Sequence, residues 1–250
     1  MGSLRMLVVF LCLLPFWQFK IPKKKYWFPL FCFTIFMGFL ANLFMTISLS
    51  AASIISPIII GSQLAIPFAI LLSSFFLKEL VTSKQWAFIL LSFIGVFLIG
   101  FDPLLKNELL PLFLITLMAF FYGAAQVFSR YLKDLDVTLT NGYMGLIGFV
   151  LLFFFSIIFE GDTIQNIKGI SSDSWLLILH SGIFVSIGAH MSMFYLYKIY
   201  PVKKVFPFYA LFPIFGVIQT YLIFSEIPTL LTLVGGIIVI LSIFLLNREE

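Results

Sequence analysis

The stretch PFAILLSSFFLKELVTSKQWAFILLSFIGVFLI, residues Pro67–Ile99, determines how the rest of the chain is interpreted. It recurs as PIFGVIQTYLIFSEIPTLLTLVGGIIVILSIFLL at Pro213–Leu246. In both copies an apolar run ends at a glutamate, and a threonine follows three residues later. Because threonine is a common N-cap and an acidic group is favoured near a helix N-terminus, each copy predicts helix, tight cap, helix. The residues of this structural repeat motif are Glu79, Thr82, Glu226 and Thr229.

The composition is that of a membrane protein. Hydrophobic residues make up 62% of the 250 residues and charged residues only 10%, whereas soluble domains have about 25% charged residues. Several apolar runs approach the roughly 20 residues that span a bilayer, and none alternates like a barrel strand. We therefore predict an all-α polytopic membrane protein. Its nine candidate helices lie at about 4–19, 26–49, 54–77, 83–99, 109–132, 140–159, 175–197, 202–224 and 228–246.

The basic residues predict the orientation of these helices. Counted on alternate sides of the nine runs, twelve of the 15 lysines and arginines fall on one side, and Arg5, Lys106 and Lys168 on the other. Basic residues concentrate in cytoplasmic loops, so the C-terminus is expected inside and the N-terminus outside. Glu79 then lies inside and Glu226 outside, which makes the two copies inverted repeats, at 1–100 and 109–247. Inverted repeats are typical of secondary transporters.

Several other functions find no support in the sequence. The net charge of +4 follows from the loop bias and gives no reason to expect a nucleic-acid partner. Cys12 and Cys32 lie inside apolar runs and offer neither a metal spacing nor an obvious disulfide. Phosphate-binding loops and His-plus-acid motifs are absent. We expect no enzyme, cofactor or metal, and as partners a small-molecule substrate and the lipid bilayer, with a homodimer left open.

Neutral polar residues recur at helical spacing inside several runs. Such residues are costly in hydrocarbon unless they face protein or water, so they are candidates to line a substrate cavity. The alternative is that they hold helices together, as is common in membrane bundles. No Asp, Glu, Lys or Arg is expected near the middle of any helix, so His190 is the one titratable group at that depth. The cavity candidates are Asn42, Gln63, Tyr122, Gln126, Ser186, His190 and Tyr209.

At this point the chain resembles the EamA-type transporters of the drug/metabolite transporter superfamily. The resemblance rests on LRMLVVFLCLLPF at Leu4–Phe16, on ISLSAAS before the third run, on the repeated Glu-x-x-Thr, and on LMAFFYGAAQVFSRYL at Leu117–Leu132. It implies ten helices in two inverted sets of five, around a cavity lined by the first, third and fourth helix of each set. Carried to this chain, those helices hold Asn42, Gln63, Gln126, His190 and Tyr209.

The sequence departs from that pattern at its start. It begins where the second helix of the family begins, so the first repeat is expected to have four helices and the second five. A nine-helix chain with its N-terminus outside is what remains when one helix is removed from a ten-helix chain with both ends inside.

The resulting expectation is export of a small polar metabolite, an amino acid or a derivative, by alternating access in the cell (inner) membrane. The end of the chain resembles exporters of that kind. One alternative is a nucleotide-sugar or lipid-head-group carrier of the same superfamily, which a more basic cavity would favour. The other is a truncated membrane protein that does not transport and pairs with a partner.

Overall fold

The computed structural model describes residues 1–16, 21–161, 163–205 and 212–248, with the side chains of 104, 163, 164, 203, 247 and 248 left aside. The described residues form helices and connecting turns, without strands. Six helical spans are long and apolar enough to cross a membrane, and three shorter helices are also apolar. In chain order we number them α1 to α9: Gly2–Phe16, Lys24–Ala51, Ser56–Phe76, Ser83–Gly100, Leu105–Tyr131, Val137–Phe159, Ser172–Ile199, Phe212–Phe224 and Leu230–Leu246.

These spans confirm the predicted all-α polytopic fold. Each of the nine apolar runs overlaps one of them, with ends that differ by a few residues except at the start of the eighth. Two short helices, Thr163–Lys168 and Val202–Val205, lie outside the numbered spans. Of the eighth run, the structure describes the short helix Val202–Val205 at its start and α8 at its end.

Side-chain caps start the last helix of each repeat. At α4, Gln85 N donates to Thr82 Oγ1 over 3.2 Å, and Thr82 N donates to Gln85 Oε1 over 2.9 Å. At α9, Thr232 N donates to Thr229 Oγ1 over 3.1 Å. Each cap satisfies an amide that has no partner within the helix, so the turns before α4 and α9 can be short.

The helices before those turns end in the same way in both repeats. Lys78 has φ 55° and Ser225 has φ 54°, a left-handed conformation that is uncommon outside glycine. The next residue is the repeat glutamate, and its backbone N–H reaches back six positions. Glu79 N donates to Ser73 O and Glu226 N donates to Thr220 O, each over 3.4 Å. The two copies of the repeat therefore share the same backbone conformation at this turn, residue by residue.

The chain forms two compact units. The first consists of Met1–Leu43 and Phe128–Tyr200, and the second of Phe44–Val127 and Pro201–Glu250. Each unit combines residues of both sequence repeats, so the units cut across the repeats.

In the first unit, close contacts at glycines hold α1 against α6 and α7. A Cβ on Gly145 of α6 would lie 3.0 Å from Phe10 N, and a Cβ on Gly182 of α7 would lie 2.7 Å from Val8 Cγ1. Both distances are shorter than ordinary carbon contacts, so only glycine allows these approaches. The result is a fixed position for α1.

In the second unit, the last helices of the two repeats, α4 and α9, pack backbone to backbone. A Cβ on Gly235 would lie 2.5 Å from Gly95 O. Likewise α3 meets α5 at Gly123, where a Cβ would lie 2.8 Å from Ala65 O. Small residues that allow such approach are typical of membrane helix pairs.

Candidate functional site

The seven cavity candidates divide between the two units. Asn42, Ser186 and His190 belong to the first unit, and Gln63, Tyr122 and Gln126 to the second. Tyr209 lies outside the described residues. The candidates are therefore considered unit by unit.

Two π-helical segments lie beside the candidates of the first unit. One is Thr34–Leu40 in α2, and the other is Ser181–His190 in α7. The Asn42 side chain donates from Nδ2 to Met37 O over 2.6 Å and to Gly38 O over 3.3 Å. Ser186 Oγ donates to Ser181 O over 3.0 Å. These polar side chains thus bond carbonyl groups of the π-helical turns, which occur often at functional sites.

Arg5 extends into this region from a neighbouring helix. It lies within α1, and its Nη2 donates to Asn42 Oδ1. Asn42 is nine residues before the end of α2 at Ala51, which at 1.5 Å per residue is roughly 14 Å from that end. The Arg5 side chain therefore meets α2 well before the end of that helix, while Arg5 itself lies in the first turn of α1.

Two sequence predictions concern this arginine. Arg5 was counted with the external side, and no Arg was expected near the middle of a helix; Arg5 lies in the first turn of α1. Its side chain reaches Asn42 in a neighbouring helix, a contact that no pattern in a single run reveals.

His190 is the third candidate of the first unit. The π-helix that ends at His190 packs against α1, the helix that carries Arg5. His190 lies nine residues before the end of α7 at Ile199, again roughly 14 Å from a helix end. Its ring centroid is 6.4 Å from that of Phe194, which meets Phe33 edge to face at 5.2 Å.

The candidates of the second unit are buried amides. Gln63 and Gln126 both have no exposed surface, and Tyr122 is also buried. Gln126 Nε2 donates to Tyr122 O over 3.2 Å. Gln63 Nε2 donates to Ser62 Oγ over 3.4 Å, and Gln63 Oε1 has no hydrogen-bond partner among the described residues. A buried amide oxygen of this kind is suited to a polar solute or water.

Glu226 has a role that its position in the sequence does not reveal. Its Oε2 accepts from Ile55 N over 2.8 Å and its Oε1 from Ser56 N over 2.7 Å, while Ser56 Oγ also donates to it. The carboxylate therefore caps the N-terminus of α3, a helix of the other repeat, and not that of α9. Charge-assisted bonds at a helix N-terminus are among the stronger hydrogen bonds in proteins.

Glu79 has the same backbone environment but different carboxylate contacts. Its Oε2 is buried without a hydrogen-bond partner among the described residues. A further acidic cap, which the sequence interpretation missed, is Glu108. It is 2% exposed, and Ser53 N donates to both of its carboxylate oxygens, over 3.0 and 3.2 Å. Two carboxylates thus hold the turn between α2 and α3.

Within the described part of the chain, no three His, Cys, Asp or Glu side chains could hold a metal ion together. The cavity candidates that the structure describes carry amide, hydroxyl and imidazole groups, and the guanidinium of Arg5 lies beside one of them. Such groups bind solutes by hydrogen bonds and charge.

Comparisons with known proteins agree with this architecture. A solved structure, described only as "Crystal structure of protein", superimposes with a TM-score of 0.66 at 15% identity. The alignment covers 100% of this chain and 88% of that chain, and it shows a shared fold. No curated protein matches the chain. The model of the EamA-like transporter family matches residues 1–101 and again residues 109–248. The chain therefore belongs to the EamA-like transporter family.

Proposed function

We propose that this membrane transporter moves a small polar metabolite, an amino acid or a derivative, out of the cytoplasm by alternating access. Membership of the family implies transport of some small solute. The observation that supports a polar solute is the full burial of Gln63 and Gln126 inside apolar helices. Placing two amides there costs free energy unless their polar groups are bonded, and Gln63 Oε1 has no hydrogen-bond partner among the described residues.

The chemistry of the spans suits a zwitterion. Amide and hydroxyl groups can bond both the ammonium and the carboxylate of an amino acid, since they donate and accept. In this proposal the two repeats are inverted in the cell (inner) membrane, the C-terminus is cytoplasmic, and the repeats alternate in exposing the site.

Counterflow in proteoliposomes tests the proposal. Vesicles that contain the purified protein and are loaded with unlabelled amino acids should take up labelled amino acids. Gln63→Leu should lower the rate at least tenfold, because a buried polar contact to the solute is lost. Gln165→Leu is the matched control, because Gln165 is exposed on the short helix Thr163–Lys168. Accumulation unaffected by Gln63→Leu would contradict this placement of the site.

One observation keeps a second candidate function in view. The sequence disfavoured a nucleotide-sugar or lipid-head-group carrier because no basic residue was expected at mid-membrane, and the contact of Arg5 with Asn42 brings one arginine beside a cavity candidate. The same vesicles therefore include a labelled nucleotide sugar as a separate arm. Counterflow of the nucleotide sugar alone would favour that carrier, and counterflow of no solute would favour the non-transporting alternative.

A further inference from the structure

We propose that a groove in the second unit binds one acyl chain of a phospholipid, whose phosphate lies at Lys106. This groove, which we call the α4–α5 groove, lies between residues 93–101 of α4 and 109–116 of α5, with Leu64 of α3 also in its lining. Its volume is about 650 Å³. The inference does not rest on the transport function, because it concerns a lipid that stays on the protein.

The α4–α5 groove has a firm floor. Leu64, Val96 and Leu112 are the buried side chains of its lining and belong to three different helices. Beside them α3 and α5 are in close contact, since a Cβ on Gly61 would lie 2.9 Å from Ile115 Cγ2. Because these helices cannot close further, the groove between α4 and α5 stays open.

The groove runs inward from the C-terminal end of α4. Gly100 and Phe101 line that end, and Phe93 lies eight residues before Phe101, roughly 12 Å deeper at 1.5 Å per residue. There the ring of Phe93 meets that of Phe68 edge to face at 4.9 Å, and Phe68 meets Phe120 in the same way at 5.5 Å. One leaflet of the bilayer core is about 15 Å thick, so the groove has the depth of a single lipid chain.

The lining suits hydrocarbon and not a polar solute. Among its described residues Thr116 is the one polar side chain, and its hydroxyl donates to Leu112 O over 2.8 Å. Ile94, Phe97 and Phe113 each expose more than half of their surface. They belong to helices that are apolar and long enough to cross a membrane. Lipid tails are as apolar as these side chains, so an acyl chain meets walls of its own chemistry.

The volume of the groove distinguishes an acyl chain from a partner helix. A helix about 10 Å across needs roughly 900 Å³ over a depth of about 12 Å, which is more than the groove provides. A chain of methylene groups is thinner and can enter. An unfilled groove would forfeit the dispersion contacts of its walls, so a lipid chain from the bilayer stabilises it.

The connection between α4 and α5 places a positive charge at the mouth of the groove. It joins Phe101 to Leu109, which both line the groove, and Lys106 lies within it and is exposed. The two acidic residues of the connection, Asp102 and Glu108, are buried. The exposed charge at this mouth is therefore that of Lys106. It complements the negative phosphate of a phospholipid whose chain lies in the groove.

Photolabelling tests the position of the chain. The full chain, purified in detergent, is incubated with phosphatidylglycerol that carries a diazirine in one acyl chain, and labelled residues are identified by mass spectrometry. The label should concentrate on residues 93–101 and 109–116. Gly100→Phe should lower this labelling by at least about tenfold, because the added ring takes the space of the chain. A Cβ at Gly100 would lie 4.0 Å from Leu109 Cδ2, so the protein should fold.

Gly188→Phe is the matched control for this variant. A Cβ at Gly188 would lie 3.7 Å from Ile183 O, also an ordinary contact, but Gly188 belongs to the first unit. The same added ring should leave the labelling of the α4–α5 groove unchanged. Thermal unfolding shows that the compared variants are folded.

The phosphate is tested with diacylglycerol that has the same acyl chains and the same diazirine. Phosphatidylglycerol should label the wild type about fivefold more than diacylglycerol, the effect of one lysine near a charged lipid head group. Lys106→Gln should remove this preference. Lys168→Gln is the matched control, because Lys168 is also exposed and lies in the first unit, at the end of Thr163–Lys168. It should keep the preference.

Other results would overturn the inference. Label spread evenly over the exposed faces of the other helices, or labelling unchanged in folded Gly100→Phe, would mean that the groove holds no lipid. Equal labelling by the two lipids, or a preference that Lys106→Gln keeps, would overturn the assignment of a phospholipid. A wild type that is dimeric by light scattering while Gly100→Phe is monomeric would place a second copy in the groove. If Gly100→Phe did not fold, Lys106→Gln, a change on the surface, would still decide.

Discussion

Glu226 shows how one carboxylate can connect the two repeats. It accepts two backbone N–H groups at the start of α3 as well as the Ser56 hydroxyl. Glutamine at this position would keep one acceptor oxygen but lose the charge. Because hydrogen bonds to charged groups contribute about 1.5 to 3 kcal/mol, we expect Glu226→Gln to lower the free energy of unfolding by about 1 to 3 kcal/mol.

Glu79 is the matched comparison in the other repeat. Its carboxylate has a buried oxygen without a hydrogen-bond partner among the described residues. Glu79→Gln should therefore cost no more than the ~1 kcal/mol of a helix-dipole interaction. Thermal unfolding of both purified variants in detergent measures the difference. Equal losses in the two variants would show that the Glu226 cap adds nothing to the repeat motif.

At this scale the sequence predicts contacts that are local. Thr82 could be assigned as an N-cap because the cap depends on a residue three positions away, Gln85. The partners of Glu226 lie 170 and 171 residues away in sequence, and Arg5 meets Asn42 across 37 residues. A repeat reveals that a glutamate recurs but not which helix it caps.

Among the helix pairs, the close contact between α4 and α9 allows a direct test of packing. A methyl group on Gly235 would lie 2.5 Å from the carbonyl oxygen of Gly95. Since a backbone atom cannot rotate away, the helices would have to separate. We expect Gly235→Ala to destabilise the protein by about 1 to 3 kcal/mol, the usual cost of overpacking.

Gly100, in the last turn of α4, is the control for this prediction. A Cβ there would lie 4.0 Å from Leu109 Cδ2, an ordinary contact. Gly100→Ala should be neutral or stabilising by up to ~1 kcal/mol, because alanine favours the helical state. The melting temperatures of the two variants decide the matter. A stable Gly235→Ala protein would mean that α4 and α9 pack less closely than described.

The nine apolar runs were predictable because the bilayer selects length and hydrophobicity, which a sequence states directly. The π-helical segments in α2 and α7 were not. They depend on which carbonyls find side-chain donors such as Asn42, and this is decided by packing between helices. The sequence identified Asn42, Ser186 and His190 as candidates without indicating the irregular helices around them.

For the whole molecule, the orientation in the membrane is still a prediction. The fifteen basic residues divide twelve to three between the two sides, with Arg5, Lys106 and Lys168 on the poorer side. A reporter active only in the cytoplasm should work when fused after Glu250. The same reporter inserted after Gly169 should be silent. The reverse pattern would refute the inverted arrangement of the repeats.

The two sequence repeats and the two compact units are different divisions of the chain. The repeats record similarity along the chain, while the units record which helices pack together. Because each unit combines residues of both sequence repeats, a repeat alone cannot predict the packing. This is why Gln63 and His190 could be named as candidates but not assigned to units beforehand.

His190 bears on the energy source of transport, that is, on whether uphill movement of the solute is coupled to protons. An unperturbed imidazole titrates near pH 6.5, so a proton-coupled cycle through this residue is conceivable. The alternative is a neutral histidine that holds helices together. His190 ends the segment of α7 that packs against α1 and lies one turn before Phe194, which meets Phe33 of α2, and this position supports the packing role. Glutamine keeps one donor and one acceptor. We therefore expect His190→Gln to lower the yield of folded protein and to leave the pH profile per folded molecule unchanged.

The control for that experiment is the other histidine of the chain. His180 also lies in α7 but is exposed, and its ring stacks on Phe184 at 5.4 Å. His180→Gln should change neither yield nor pH profile. Uphill and downhill transport are then measured across a pH series for both variants. If His190→Gln folded normally and lost acid-dependent uphill transport while downhill exchange survived, His190 would carry the coupling proton. If uphill transport keeps its pH profile, the driving force lies in the gradient of the solute itself.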